Sequence, residues 1–265
     1  MLILDEKHEY IGIDENGFLE NEELNYHYNT FNIENLTDSI EVNRYLYSLY
    51  EKVDVKSKDM IGVFIVESFA KIHRDYQAVA ILSARGLQSQ AKAILRTMLE
   101  KILVLVSVEK DSKNYNEWLK TQNYRRNILI RAIKRGEIDS HDIDTSKYTE
   151  EPDAKNIDSK EWARRADMEW DYNTIYRLFN SNVHHSESGV AIDIVFKDRE
   201  VEAINIFPDY SETDSVLILS KRYVLIAASV LKKVFKITDD RAVFREYEKF
   251  LDDAQEEITK KKETE

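Results

Sequence analysis

The fold is decided by the stretch QSQAKAILRTMLEKILVLVSVE, residues 88–109. Its apolar residues recur at intervals of three and four along one wide face, and further leucines and valines cover much of the opposite face. A helix that is apolar nearly all round has to be surrounded by other elements. The stretch therefore predicts the central helix of a helical core.

The composition and the periodicity of the remaining chain extend this prediction outward. The chain has 265 residues, of which 43% are hydrophobic, and it has only two prolines and six glycines. Long helices with few breaks are therefore favoured over a sandwich or barrel. Alternation around a short polar turn predicts one small β-hairpin. Further helices are predicted at about 37–55, 57–84, 111–135, 158–170, 212–236 and 238–258, and the hairpin near residues 191–207.

The chain offers no clear boundary between folding units. It contains no repeat, low-complexity block or obvious linker, so we predict a mainly α fold: a single-domain helical bundle with a small β-hairpin. The helical domain covers residues 36–260, and an N-terminal arm or hairpin covers residues 1–35. The polar, acidic segment 136–158 contains Pro152 and predicts a loop, which is the segment we expect to move most.

Several functions are disfavoured by what the chain lacks. With no cysteine, it has no disulfide framework, thiolate metal site or cysteine nucleophile. No apolar run is long enough to span a bilayer, and acidic residues occupy the N-terminal stretch where a signal peptide would be apolar, so we expect a cytoplasmic protein without a membrane partner. The net charge of −12 argues against a broad nucleic-acid-coating surface. Nucleotide-binding and hydrolase motifs are absent, and no cofactor is expected.

Two charged residues of the central helix require partners. Arg96 and Glu100 lie four residues apart, beside the apolar stripe, and buried charges need pairing and hydrogen bonds. The polar stretch 172–186 is the best supplier, so we predict that it packs against the central helix. The predicted supporting residues are Arg96, Glu100, Tyr176, Asn180 and Ser181. The alternative is an internal ion pair that only fixes helix register.

The same polar stretch carries the candidate catalytic residues. Arg177 and His184 are seven residues apart, about two helical turns, and would lie on one face. An arginine can bind a phosphate and a histidine can move a proton near neutral pH. His185 is the second candidate base. The alternative is the polar, hydrogen-bonded end of a buried helix. Because adjacent histidines point about 100° apart on a helix, they cannot both bind one ion with Glu187, and no metal site is predicted.

A basic cluster follows Tyr124 in the helix predicted over residues 111–135. Basic groups beside an aromatic residue can bind an RNA backbone even on an acidic protein. The alternative is that they simply suit the negative end of the helix dipole. The predicted RNA-binding residues are Arg125, Arg126, Arg131 and Lys134.

Two separated motifs carry a family resemblance. The runs at 73–106 and 162–186 resemble a family of mostly bacterial helical proteins described only as a domain of unknown function. Its marks are an R-x-x-x-E helix and a later Y-x-x-x-Y-x-x-x-S-x-x-x-H segment. They match Arg96 and Glu100, then Tyr172, Tyr176, Ser181 or Asn180, and His184 or His185. The resemblance covers roughly residues 58–235 and implies an all-α fold without an established activity.

A looser resemblance bears on function. Arg177 and His184, with six residues between them, resemble the arginine and histidine of HEPN ribonucleases, which are small helical toxins and phage-defence effectors that act as dimers. The sequence departs from that pattern at Leu178, where a polar residue commonly follows the arginine. The resemblance implies a metal-independent endoribonuclease in which His184 or His185 is the general base and Arg177 stabilises the scissile phosphate.

Two functional hypotheses follow from these observations. The first is a HEPN-like toxin or phage-defence ribonuclease that binds RNA, forms a homodimer and has an antitoxin or defence-system partner. The second is a non-catalytic helical module for regulation or protein interaction, in which an arginine, a glutamate, tyrosine and histidines form a buried network. Cleavage of RNA separates the two.

Overall fold

The computed structural model describes residues 33–56, 58–138, 149–183, 194–197, 200–204 and 210–238. Most of these residues are helical, and the prediction of a mainly α fold is confirmed. The helices are α1 (Ile33–Tyr50), α2 (Met60–Ala84), α3 (Gln88–Lys110), α4 (Lys113–Lys134), α5 (Ser159–Ala166), the short α6 (Glu169–Asp171), a π-helical turn (Tyr172–Tyr176), α7 (Arg177–Val183) and α8 (Thr213–Phe235).

Helix α3 lies at the centre of the fold. It packs against α2, α4, α5, α7 and α8, while α8 also packs against α1 and α2. Its buried residues include Leu95, Leu99, Ile102 and Leu103, none of which has measurable exposure. An apolar helix with neighbours on most sides is what its sequence pattern predicts.

Local signals account for several helix ends. The Asp59 carboxylate accepts a hydrogen bond from the Gly62 amide at 2.9 Å and caps α2. Gly86, at φ +70°, ends α2, and its amide donates to the Ser83 carbonyl at 3.0 Å. Asp158 caps α5 by accepting from the Glu161 amide at 2.8 Å.

Two predicted boundaries are wrong. The first helix begins at Ile33 and ends at Tyr50, because the chain turns there and the Val53 amide bonds the Tyr50 carbonyl. Val53 still packs against the core from the turn, which is why its apolar spacing suggested a longer helix. The helix predicted to continue to residue 170 stops at Ala166, where Asp167 adopts a left-handed conformation with φ 57°. Aspartate tolerates this conformation better than most residues.

Two short strands pair near the end of the described segments. Strand β1 (Ile194–Lys197) runs antiparallel to β2 (Glu200–Ile204), with Ile194 opposite Ile204 and an irregularity between Val195 and Phe196. The predicted N-terminal arm up to residue 32 and the predicted helix at 238–258, apart from its first residue, lie outside the described residues. Among the residues the structure does describe, no helix is both long and apolar enough to cross a bilayer.

Candidate functional site

A polar cluster joins α3 to the π-helical turn and α7. Arg96 donates through Nε to Asn180 Oδ1 at 3.1 Å and through Nη2 to the Tyr176 hydroxyl at 2.6 Å. Tyr176 in turn donates to Glu100 Oε1 at 2.7 Å. The tyrosine hydroxyl therefore accepts from the cation and donates to the carboxylate. We call Arg96, Glu100, Tyr176, Asn180 and Ser159 the Arg96 network.

Ser159 completes the network from a third element. Its hydroxyl donates to Glu100 Oε1 at 3.2 Å, and it is the first residue of α5. Ser159 is not among the predicted site residues, and at the start of a helix a serine is most often expected to act as a cap. Because Asp158 supplies the cap instead, the Ser159 hydroxyl is available to Glu100. No sequence signal connects these two residues, which are 59 positions apart.

The Arg96 network is half-buried and held by ring contacts as well as hydrogen bonds. The Arg96 side chain is 14% exposed, and its guanidinium carbon lies 4.5 Å from the centre of the Tyr176 ring. That ring stacks on Tyr172 with centroids 4.9 Å apart and planes inclined by 19°. Burial is the main cause that raises the pKa of Tyr176, so the phenol keeps the proton that it donates to Glu100.

The π-helical turn lets one helical segment make polar contacts with both α3 and α8. The turn is wider than an α-helical turn by about one residue, and it lies between Asp171, which faces α8, and Tyr176, which faces α3. Both residues therefore reach their partners although only five positions separate them. Wide turns of this kind often occur at functional sites.

Arg177 lies on the outer side of this segment. Its side chain is exposed and makes no ion pair or hydrogen bond with the residues that the structure describes, although its backbone amide donates to the Tyr172 carbonyl. Its neighbour Leu178 is 65% exposed. The two predicted bases, His184 and His185, lie outside the described residues, and so does the side chain of Ser181. The structure thus brings Arg96, Glu100, Tyr176 and Asn180 together and places Arg177 on the adjacent surface.

The predicted RNA-binding residues form a different kind of cluster on α4. Arg131 Nε lies 2.7 Å from Glu150, Lys134 Nζ lies 3.8 Å from the same carboxylate, and Arg126 Nη2 lies 3.2 Å from Glu151. Arg125 is exposed and has no such partner in the described segments. Three of the four cations are therefore paired with an acidic segment that was predicted as a loop.

Asn127 anchors that acidic segment to α4. Its side-chain amide donates to the Glu151 carbonyl at 2.8 Å and accepts from the Glu151 amide at 3.1 Å. Both polar backbone groups of one residue are thus bound by one side chain. We call this pair of bonds the Asn127 clamp. It explains why residues 150 and 151 lie against the α4 cations.

A second interior polar group was missed by sequence reasoning. Asp171 is buried, accepts from the Tyr223 hydroxyl at 3.0 Å and lies 3.2 Å from Arg222 Nη1. Burial raises the pKa of Asp171, while Arg222 acts in the opposite direction. The available signal was Arg222, a charged residue within the apolar stretch of α8, just as Arg96 is a charged residue within the apolar stretch of α3.

A third interior group links α1 and α2 through His73. Its Nε2 donates to Asn43 Oδ1 at 2.7 Å, and its Nδ1 accepts from the Tyr50 hydroxyl at 3.3 Å, an assignment that requires the neutral ring. Burial lowers the pKa of His73 to about 4. No three histidine or carboxylate side chains lie together as a metal site would require within the described ranges.

Comparison with known proteins identifies a family of similar sequences. The model of a family described as "Family of unknown function (DUF5677)" matches residues 63–199, slightly more than half of the chain. The match includes the Arg96 network, the α4 cations and Arg177. No curated protein and no solved structure matches the chain.

Proposed function

Because the chain belongs to DUF5677, a family whose description assigns no activity, we propose a function from its own residues: a HEPN-like, metal-independent endoribonuclease that acts as a toxin or phage-defence effector. The observation that carries the proposal is Arg177. It is an exposed cation without an ionic partner among the described residues, on a helical segment fixed by the Arg96 network. An arginine so placed is available to an RNA phosphate.

The proposed reaction uses Arg177 and a histidine. His184, or His185 in its place, removes the proton from a 2′-hydroxyl, whose oxygen attacks the neighbouring phosphorus. Arg177 stabilises the negative charge that develops on the phosphate oxygens. The bond to the 5′-oxygen breaks, and that oxygen takes up a proton, which leaves a 2′,3′-cyclic phosphate and a 5′-hydroxyl. A neutral histidine is suited to the first step because its usual pKa is near 6.5.

The Arg96 network has a positioning role in this proposal. Its groups bind one another, so none of them needs to touch the RNA. Instead they fix the backbone at Tyr176, one residue before Arg177. A half-buried, mutually bonded set of side chains restricts the helix orientation more strongly than apolar contacts alone. The direction in which the Arg177 side chain projects from the surface then depends on Arg96 and Glu100.

The α4 cations supply the proposed RNA-binding surface. Exposed ion pairs are worth no more than about 1 kcal/mol each, so an RNA backbone can displace Glu150 and Glu151 from Arg126, Arg131 and Lys134. Phosphate contacts of this kind bind without reading the base sequence. Together with a second copy of the chain, in the homodimer that the HEPN resemblance implies, this surface would hold the strand while Arg177 acts on it.

An RNA cleavage assay tests the proposal. Purified protein is incubated with total cellular RNA in EDTA, beside Arg177→Ala, His184→Ala and the matched control Arg44→Ala, which removes an exposed arginine from α1. We expect cleavage with cyclic phosphate ends by the wild type and the control, and loss of at least about 100-fold in rate for the other two variants. Equal background cleavage by all four proteins contradicts the ribonuclease.

The second candidate is a non-catalytic interaction module, and one observation favours it. The Arg96 network is satisfied internally, as expected of a structural tie between three helices. In this case all four proteins leave RNA intact, and Arg96→Ala lowers stability without any enzymatic consequence. Sedimentation of the wild type, alone and with a candidate antitoxin, then measures the homodimer or heteromeric complex that such a module would form.

A further inference from the structure

The helical segment that carries Arg177 also presents an indole to solvent. Trp170 is 42% exposed, whereas tryptophan is on average one of the more buried residues. Single exposed apolar residues are common and need no explanation. Trp170 differs because polar groups hold it in place and because a second exposed apolar residue shares its face.

Arg222 packs against the Trp170 ring. Its guanidinium carbon lies 5.7 Å from the centre of the indole, within the range of a cation–π contact. Arg222 is itself held by Asp171 at 3.2 Å, and its Nε is buried without a hydrogen-bond partner among the described residues. The guanidinium thus contacts both Asp171 and the Trp170 ring, and these contacts restrict the orientation of the indole.

Trp170 and Leu178 lie on one side of the segment, and Arg177 lies about 100° around the helix axis from them. Two α-helical turns take about 7.2 residues and the π-helical turn adds about one, so residues eight positions apart project in similar directions. Trp170 and Leu178 are eight apart, and both are exposed. Arg177 precedes Leu178, about 10 Å along the axis from Trp170. The exposed surface of the segment therefore carries a fixed aromatic ring and, beside that ring's face, a cation that has no ionic partner in the described chain.

We propose that Trp170 is a stacking platform for an unpaired base of single-stranded RNA, whose neighbouring phosphate binds Arg177. The inference rests on the proposed function, because it assigns the ligand of that site. Aromatic rings that stack bases beside cations that bind phosphates are the usual means of holding a single strand. Leu178 extends the apolar surface for the next base. Arg222 acts as a positioning residue, since it touches the ring and not the RNA.

Binding without chemistry separates this inference from the ribonuclease. The probe is a fluorescein-labelled 2′-O-methyl oligouridylate, which lacks the attacking hydroxyl and cannot be cleaved by the proposed reaction. Anisotropy titrations compare the wild type, Trp170→Ala, Trp170→Phe and the control Ile81→Ala, which truncates an even more exposed apolar residue on α2. Circular dichroism and melting temperature show which variants are folded.

We expect Trp170→Ala to bind the probe about 5- to 150-fold more weakly, the range that corresponds to the loss of one stacked base. Trp170→Phe keeps a stacking ring and should stay within about threefold of the wild type, as should Ile81→Ala. A double-stranded RNA of the same length should bind wild type and Trp170→Ala alike, because its bases are already paired and stacked. In the wild type the probe should quench tryptophan emission, and this quenching should be lost in Trp170→Phe.

Three results decide the matter. Equal affinity of Trp170→Ala and wild type for the single strand overturns the stacking platform even if the protein cleaves RNA. Dependence on Trp170 together with intact cellular RNA supports the platform and contradicts the ribonuclease. Failure of the wild type to bind the probe at all also overturns the stacking platform, whereas the cleavage assay alone decides the ribonuclease.

Discussion

The Arg96 network and the α4 cations both involve arginines that pair with glutamate, but the two clusters differ in their exposure to solvent. Arg96 is 14% exposed, and its partners include a phenol, an amide and a carboxylate. Arg131 is 57% exposed and pairs with one carboxylate. The first cluster joins three helical elements through α3, while the second lines one helix and a neighbouring segment. Similar residue types therefore serve as an internal tie in one place and as an open surface in the other.

The difference follows from desolvation. Breaking a half-buried network leaves polar groups that water cannot fully reach, and each costs about 1–3 kcal/mol. Exposed ion pairs lose little when broken, since water replaces the partner and salt already screens the attraction. The Arg96 network should thus control stability, and the α4 cations should control binding of polyanions.

The largest expected effect is that of Arg96→Ala. The substitution leaves Tyr176, Glu100 and Asn180 without their shared donor, and we expect it to lower the free energy of unfolding by roughly 3 kcal/mol. The matched control Arg131→Ala should cost less than about 1 kcal/mol. Urea denaturation measures both. Equal losses would show that exposure does not distinguish the two clusters.

The His73 group tests whether interior clusters as a class control stability. Because the pKa of His73 falls from 6.5 in the unfolded chain to about 4 in the fold, the unfolded state binds a proton that the folded state refuses between these values. Stability is therefore complete above about pH 6.5 and declines as the pH falls toward 4. We expect a loss of about 2 kcal/mol over this window.

The His73 prediction is measured as a difference. Urea denaturation at several pH values compares the wild type with His73→Gln, which keeps an amide in place of the ring and cannot titrate. The other titratable groups contribute equally to the pH dependence of stability in both proteins. The difference between the two slopes of stability against pH therefore isolates His73. Parallel curves for the two proteins between pH 6.5 and 4 would contradict the assignment.

The smallest effect on stability is expected on α4. The pair Glu150→Gln and Glu151→Gln should leave the free energy of unfolding unchanged within the error of urea denaturation, because water replaces an exposed ionic partner. The same pair frees three cations, so RNA should bind more tightly at low salt, and the slope of log affinity against log salt should steepen by about two for a single strand.

The control for this prediction has the same net charge. Glu41→Gln with Glu67→Gln removes two exposed carboxylates from α1 and α2, far along the chain from the α4 cations. If both double variants gain the same affinity for RNA, the gain reflects the overall charge of the protein. Glu150 and Glu151 then do not specifically block an RNA-binding surface.

The sequence predicts the helices better than it predicts their polar contacts. Periodicity identified α3 as central because an apolar helix has no other stable location. The need of Arg96 and Glu100 for partners pointed to the polar stretch that includes Tyr176 and Asn180. Ser159 could not be foreseen, because its contact with Glu100 depends on how α5 is oriented, and orientation is a property of the packed fold.

The acidic partners of α4 were missed for a related reason. Residues 150 and 151 belong to a polar segment without periodicity. Its composition predicts a loop but does not indicate where that loop lies on the fold. The Asn127 clamp supplies that position through a backbone contact, and backbone contacts leave no mark on composition. In the same way the π-helical turn changes which residues share a face, although nothing in the sequence of Tyr172–Tyr176 departs from an ordinary helix.

The Asn127 clamp also bears on how this chain can change in length. It joins residues 127 and 151 directly, so the start of α5 is positioned from α4 and not by the span of chain between them. The entropic cost of closing a longer loop grows slowly, by about 0.6 kcal/mol for each doubling. Insertions between the two ends of the clamp should therefore leave Ser159 at Glu100, which makes this connection a suitable place for an inserted reporter domain.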